Sequence, residues 1–225
     1  MSVSVAFVAV LVGLVVWGLL VRRLTSRPWE TQGAPEDAGH GGAVSVPPAK
    51  IGLWVLLAVI TSLFGLFLSA YYMRMGHAHG DWNPVALPRV LWLNTGMLIL
   101  SSVSMQTASG AVRRAQTGHV RIGLIAGGLF ALAFLSGQLW AWRELNASGY
   151  FLGSPAAAFF YLLTAVHGLH LLGGLFVWGK TVVRMMPAGA EAIDVRSSVE
   201  LCTVYWHYLL LVWLVLFAVL LSTSA

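Results

Sequence analysis

The chain has 225 residues, of which 58% are hydrophobic and 9% are charged, and its formal net charge is +5. Soluble domains carry about 25% charged residues and are less than about half apolar, so this composition excludes an ordinary soluble protein and indicates an integral membrane protein. The basic residues lie in short loops between apolar segments rather than on a water-exposed patch, which excludes nucleic-acid binding. The single cysteine, Cys202, excludes an intrachain disulfide, covalent haem attachment through Cys-x-x-Cys-His and a two-cysteine copper site.

The apolar segments predict the number of membrane-spanning helices. A helix needs about 20 apolar residues to cross the hydrocarbon, where its backbone groups have no other hydrogen-bond partners. Uncharged segments of this length are separated by loops that contain all eight prolines. Ser154 and Pro155 are typical of a helix N-cap and a first helical residue. The sequence therefore predicts an all-α, polytopic membrane protein whose six transmembrane helices cover residues 3–21, 51–73, 90–112, 122–142, 156–179 and 201–222.

The basic residues beside these segments predict the orientation of the chain, because cytoplasmic loops are enriched in Lys and Arg. Ten of the 13 basic residues follow the first, third or fifth segment, and the other three are Arg74, Arg89 and Arg143. Both termini are therefore predicted to lie outside. The first segment has no basic residue before it and no A-x-A cleavage site, so it is predicted to be a retained helix rather than a secretory signal.

The region after the first segment is typical of a linker. Residues 33–48 are rich in Gly, Pro and Ala and have no periodicity. The sequence predicts an N-terminal transmembrane helix at residues 1–21, a cytoplasmic linker at 22–50 and a five-helix bundle at 51–225. The short connections within the last region favour antiparallel neighbours.

The third segment carries a stripe of polar residues, which are Asn94, Thr95, Ser101, Ser102, Gln106 and Thr107. Polar residues in a membrane usually point into a helix bundle and form hydrogen bonds across helices, worth about 0.6 kcal/mol each. In the fourth segment, Gly123 and Gly127 form a G-x-x-x-G pattern, which is typical of closely packed helices. Both features therefore predict helix packing.

The histidines are candidates for either structural or ligand-binding roles. His167, His170 and His207 lie within the predicted membrane segments. Two histidines that face each other at one depth can bind haem b, but a hydrogen-bonded structural role is the simpler interpretation. His77 and His79, with Asp81, form an external cluster of metal-ligand types, although loops often accumulate such residues without binding a metal.

Charged residues are excluded from all six segments as drawn above. Proton relays and ion pathways are built from such residues, so a pump or an ion-coupled transporter is disfavoured. Glu144 and Glu200 stand at segment ends and are predicted to be interfacial anchors.

Five parts of the sequence, in order, resemble the cytochrome c oxidase subunit III family over residues 51–222. Two parts are a paired Phe, a Thr and His-Gly-x-His at residues 159–174, and a Glu, Tyr-Trp-His and a later Trp at residues 200–217. The others contain an Asn-Thr and Ser-Ser pattern, the preceding helix and a Gln-x-x-x-aromatic element. Their sequences are LNTGMLILSSVSMQTA, GLWVLLAVITSLFGLFLSAYYMR and FLSGQLWAW.

The resemblance implies an accessory subunit III of a heme-copper terminal oxidase, which serves aerobic respiratory electron transport in the bacterial cytoplasmic (inner) membrane. Such subunits have no catalytic residues, haem or metal of their own. They pack against subunit I and other oxidase subunits, bind phospholipid between two groups of helices, and support assembly and oxygen access. The motif residues with an implied structural or lipid-contacting role are His167, His170, Glu200, Tyr205, Trp206, His207, Trp213, Asn94, Thr95, Ser101, Ser102 and Gln138.

Two further interpretations stay open from the sequence. One is a related accessory subunit of a quinol oxidase or a nitric oxide reductase. The other, from a different class, is a b-haem electron carrier that uses the three intramembrane histidines. If the chain is an accessory subunit, His170, Trp206 and His207 are predicted to hold the fifth and sixth segments together or to border a lipid. A histidine of the neighbouring helix is predicted to accept a hydrogen bond from the Trp206 N–H.

The sequence departs from the family pattern at three acidic positions. Ile60, Ala141 and Leu210 stand where the family carries carboxylates. The departures predict that this chain takes no part in proton uptake through those positions.

Overall fold

The computed structural model describes residues 48–77, 82–148, 154–185 and 192–224. The chain divides into two compact units, Met1–Ile51 and Gly52–Ala225. The predicted first helix and linker lie almost wholly outside the described residues, as do His79 and Asp81.

Five helices form the described part of the chain, which contains no strand. They correspond to the second to sixth predicted segments but extend past the apolar residues at most ends, because charged side chains there can reach the membrane surface. The helices are α1 (Pro48–Gly76), α2 (Val90–Arg113), α3 (Thr117–Ala147), α4 (Pro155–Arg184) and α5 (Ala192–Thr223).

The beginning of α4 has the predicted cap. Pro155 is its first residue, and the Ser154 Oγ accepts a hydrogen bond from the Ala157 N–H at 3.3 Å. The same hydroxyl lies 3.4 Å from the carbonyl oxygen of Asn83, to which it donates. This cap therefore satisfies one free N–H of the helix and holds the preceding loop against it.

Four of the described helices are long and apolar enough to cross a membrane, namely Ala49–Gly76, Thr117–Ala147, Pro155–Val183 and Arg196–Thr223. Such helices are typical of a multi-pass membrane protein. The helix α2 has 24 residues, so its length of about 36 Å is sufficient, but its polar residues reduce its hydropathy. The six predicted crossings are thus supported at four positions by length and composition.

Helix α2 lies at the centre of the packing. It packs against α3 and α5, and α4 packs against α5 and α3. Side chains join α1 to this group. The hydroxyls of Thr61 and Tyr208 are 2.8 Å apart, those of Tyr71 and Thr223 are 2.5 Å apart, and the Phe64 ring contacts α4.

Candidate functional site

The buried side of α2 carries most of the predicted polar stripe. Asn94, Thr95, Ser101 and Ser102 are all buried against neighbouring helices. Gln106 and Thr107 are exposed, so the prediction that the whole stripe points into the bundle is wrong at these two residues. Both residues follow the buried Met105, and the residues seven positions earlier, Ile99 and Leu100, are exposed as well, so Gln106 and Thr107 lie on the outward face of α2.

Two tryptophans of α5 form hydrogen bonds to hydroxyls of α2. The Trp206 Nε1 donates to the Ser101 Oγ at 2.7 Å, and the Trp213 Nε1 donates to the Thr95 Oγ1 at 3.0 Å. Both indoles are wholly buried. The prediction that a histidine accepts from Trp206 is therefore wrong. A serine on the facing helix is the partner, because small hydroxyl side chains leave room for the large indole.

The Ser101 hydroxyl extends this contact to a third helix. It donates to the carbonyl oxygen of Gly127 in α3 at 2.6 Å, while it accepts from Trp206. Ser101 therefore links α2, α3 and α5 through one atom. About one turn nearer to Glu200, the Thr203 Oγ1 donates to the Met105 carbonyl at 3.2 Å.

The glycines of α3 allow close contact with α2, as the G-x-x-x-G pattern predicted. A Cβ atom at Gly123 would lie 2.9 Å from the Ala108 Cβ and 3.0 Å from the Ser104 carbonyl oxygen. At Gly127 it would lie 2.9 Å from the Met105 Cε. Real Cβ atoms essentially never approach other atoms so closely. At Gly123 the two helices can therefore pack at this distance only because the residue has no side chain, whereas at Gly127 the flexible end of Met105 can move aside.

The three intramembrane histidines differ in their surroundings. His167 is wholly buried, and neither ring nitrogen has a hydrogen-bond partner. His170 and His207 each donate from Nδ1 to a carbonyl oxygen of their own helix, at 2.7 Å to Val166 and 2.8 Å to Thr203. These two histidines therefore do not themselves bridge α4 and α5 through the bonds they make. Tyr205 does so, since its hydroxyl donates to the His170 carbonyl at 2.9 Å.

The external histidine cluster is only partly described. The His77 Nδ1 donates to the Met73 carbonyl oxygen at 2.8 Å. Over the described ranges no group of three or more His, Cys, Asp or Glu residues is placed to hold a metal ion. His79 and Asp81, the other members of the cluster, lie outside those ranges.

Glu200 occupies the predicted end position and links two helices. Its Oε1 accepts from the Arg113 Nε at 3.0 Å and from the Arg196 Nε at 3.4 Å. These side chains keep about a third of their surface exposed, so water weakens the ion pairs. Glu144 is exposed near the C-terminal end of α3.

Two polar contacts of α4 were not predicted from the sequence. The Trp178 Nε1 donates to the Leu124 carbonyl at 2.9 Å, and the indole lies directly against Gly128. The Trp142 Nε1 of α3 donates to the Thr164 Oγ1 at 3.0 Å. Gly128, which follows Gly127 in the sequence, was a signal for the Trp178 contact, because a second small residue leaves room for a ring from another helix.

The three positions that depart from the acidic pattern lie in apolar surroundings. Ile60 and Ala141 are buried and Leu210 is half-buried. The buried polar side chains of the described residues are hydroxyls, amides and one imidazole. The polar interactions between helices therefore come mainly from neutral groups, with the exposed Glu200 pairs at one end.

Comparison with known proteins identifies the family. The family model for cytochrome c oxidase subunit III matches residues 9–224. A probable cytochrome c oxidase subunit 3 from Mycobacterium tuberculosis is 31% identical over 180 residues, which cover 76% of this chain and 86% of that protein. Cytochrome c oxidase subunit 3 from Thermostichus vulcanus is 28% identical over 200 residues, covering 84% of this chain and 96% of that protein.

A third relative has a different organisation. The heme-copper oxidase subunit I+III of Aeropyrum pernix is 25% identical over 197 residues, which cover 82% of this chain but 24% of that protein. The family match includes nearly the whole sequence, and the side chains of the family motif lie in the contacts between helices described above. The chain thus belongs to the cytochrome c oxidase subunit III family, the accessory subunit III of heme-copper oxidases.

Proposed function

We propose that this chain crosses a bacterial cytoplasmic membrane six times, with both termini outside. The uneven distribution of Lys and Arg supports this orientation, and the family match begins at residue 9, within the first apolar segment. We also propose that residues 1–21 form a separate helix, residues 22–50 a cytoplasmic linker, and residues 51–225 the five-helix bundle. The division of the chain near Ile51 supports this arrangement.

The proposed partner is the catalytic subunit I, whose assembly and oxygen access this chain would support. The name of the Aeropyrum pernix relative, which joins subunits I and III, supports this choice. Large apolar side chains on the outer faces of α3 and α4, including Trp140 and Phe176, are exposed and offer surfaces for neighbouring helices or lipid chains. No buried side chain of the described residues carries a fixed charge that would have to be matched by the partner.

The family-motif residues are proposed to have structural or lipid-contacting roles. This proposal depends mainly on the hydrogen bonds between α5 and α2. Trp206 donates to Ser101 and Trp213 donates to Thr95, so these polar atoms have partners within the bundle. The group also includes Asn94, Ser102, Gln138, His167 and Glu200. His170, Tyr205 and His207 are only half-buried, and we propose that they border a bound phospholipid.

The proposal is tested by affinity purification of the tagged chain in mild detergent. We expect a heme-copper oxidase subunit I to copurify, together with phospholipid that mass spectrometry detects. Recovery of a quinol oxidase or a nitric oxide reductase instead would change the assigned complex. A reduced-minus-oxidised haem band from the chain after its separation from all other subunits would contradict the accessory role.

A further inference from the structure

Four buried polar side chains of the described residues have polar atoms without a hydrogen-bond partner; one is the Ser102 hydroxyl, and the other three lie at one level of the bundle. Asn94 of α2 and His167 of α4 are 0% exposed, and Gln138 of α3 is 3% exposed. Both polar atoms of each side chain, six atoms altogether, lack a partner. We call these three residues the polar layer. An unpaired polar atom is costly away from water, so their common location requires an explanation.

The contacts of Asn94 and Gln138 place them at neighbouring positions on α2 and α3. The Asn94 Oδ1 lies directly over Gly137, where a Cβ atom would collide with it. Gln138 is the next residue of α3. The two carboxamides therefore belong to the same level of this helix pair.

The same register places Gln138 opposite His167. The Trp142–Thr164 hydrogen bond joins α3 to α4, which run in opposite directions through a short connection. One helical turn before Trp142 is Gln138, and about one turn after Thr164 is His167, so both lie at the next level of the interface. The ring centroids of Phe134 and His167 are 5.7 Å apart, as this register requires.

Helix α5 also contacts this level of the bundle. The Trp213 ring of α5 lies 5.2 Å from the His167 ring, and its Nε1 donates to Thr95, the residue after Asn94. The polar layer is thus surrounded by α2, α3, α4 and α5. Phe134 and Trp213 contact each other at 4.8 Å and form an apolar wall beside it.

The chemistry of the layer fits a small neutral molecule that both donates and accepts hydrogen bonds. Each carboxamide has an NH2 donor and an oxygen acceptor, and a neutral imidazole has one donor and one acceptor nitrogen. No Asp, Glu, Lys or Arg is among the buried residues of the described ranges, so the layer offers nothing to balance an ion. The aromatic rings around His167 restrict the space for a larger ligand.

We propose that the polar layer binds a cluster of ordered water molecules inside the bundle. A buried water makes about three hydrogen bonds, so the six atoms would be satisfied by about two waters. The waters bridge Asn94, Gln138 and His167 and so connect α2, α3 and α4 at one level.

Radiolytic labelling of the intact oxidase complex in 18O-enriched water tests the proposal. Bound water generates hydroxyl radicals that label adjacent side chains even when those side chains are buried. Trp213 beside the layer and Trp206 two turns away are both 0% exposed and lie on the same helix, so each serves as the control for the other. We expect Trp213 to be labelled several-fold faster than Trp206. Equal, slow labelling of the two tryptophans would overturn the proposal.

A variant links the label to the polar layer. Gln138→Met keeps the approximate shape of the side chain but removes its hydrogen-bonding atoms, and it should reduce Trp213 labelling to the Trp206 level. Ser136→Ala on the exposed side of α3 is the matched control and should leave labelling unchanged. Undiminished labelling of Trp213 in the assembled Gln138→Met complex would refute the role of the layer.

A second measurement needs no variant. A cryo-electron microscopy map of the wild-type complex, at a resolution that shows ordered water, should contain density between the three side chains. A direct hydrogen bond between Gln138 and His167 without water density would overturn the proposal.

Discussion

Replacement of Gly123 by alanine tests whether close contact between α2 and α3 stabilises the bundle. The added Cβ would lie 2.9 Å from the Ala108 Cβ and 3.0 Å from two backbone atoms, and the backbone cannot move away as a flexible side chain can. Overpacking of this kind costs about 1–3 kcal/mol. Alanine also favours the helix by about 1 kcal/mol relative to glycine, which must be subtracted.

Gly96→Ala in the middle of α2 provides that subtraction. A Cβ at Gly96 meets nothing within 4 Å, so this variant gains the helix preference without the collision. The difference between the two variants isolates the packing cost, for which we expect about 2 kcal/mol. This difference corresponds to about a thirtyfold change in the population of the opened bundle, since about 1.4 kcal/mol is a factor of ten.

The buried thiol of Cys202, the only cysteine of the chain, reports that opening. Alkylation of membrane-embedded complexes with N-ethylmaleimide, followed by mass spectrometry of the peptide that contains Cys202, should be about thirtyfold faster in Gly123→Ala than in Gly96→Ala. Equal rates for the two variants would show that close approach at Gly123 does not limit stability, and the packing argument would then be wrong.

Three further outcomes are expected. Glu200→Gln should lower the free energy of unfolding by about 0.5–1 kcal/mol at low salt and by less at high salt, because its partners Arg113 and Arg196 are partly exposed; thermal unfolding at two salt concentrations measures this, and a salt-independent loss would contradict it. His207→Phe should lower lipid retention while the haem and copper contents of the complex stay unchanged in metal analysis, and loss of either would show that the residue binds a cofactor. A hydrophobic carbodiimide should modify the Ile60→Glu variant but no buried position of the native helices, because burial favours the reactive protonated carboxyl group. Adducts at buried positions of the native chain would contradict the conclusion that its described helices bury no carboxyl group.

Hydropathy was sufficient to predict the five described helices. The predicted third segment, residues 90–112, ends one residue before α2 does, and the Ser154–Pro155 cap begins α4 as predicted. These features are local, because they depend on apolar length, proline position and one side chain next to its own backbone. The close contact at Gly123 was also predictable, since the absence of a side chain is visible in the sequence.

The partners of the polar side chains could not be predicted in the same way. The Trp206 N–H needed an acceptor, but its choice of Ser101 over a histidine depends on the register between α2 and α5. The exposure of Gln106 and Thr107 depends on which side of α2 contacts the neighbouring helices. The pairing of Gln138 with the level of His167 follows only from contacts one turn away. Such features combine several helices and are absent from any single segment.

The two tryptophan bonds between α2 and α5 restrict that register to one value. Trp206 and Trp213 are seven residues apart, which is about 10.5 Å along the helix, and their acceptors Ser101 and Thr95 are six residues apart, about 9 Å. The matching separations let both N–H groups be satisfied together. A slip by one helical turn would move both indoles away from their hydroxyls and leave two buried N–H donors unpaired, at about 1–3 kcal/mol each. Although each interhelical bond contributes little by itself, the pair therefore excludes alternative registers, and the bundle presents one fixed outer surface to the lipids and subunits around it.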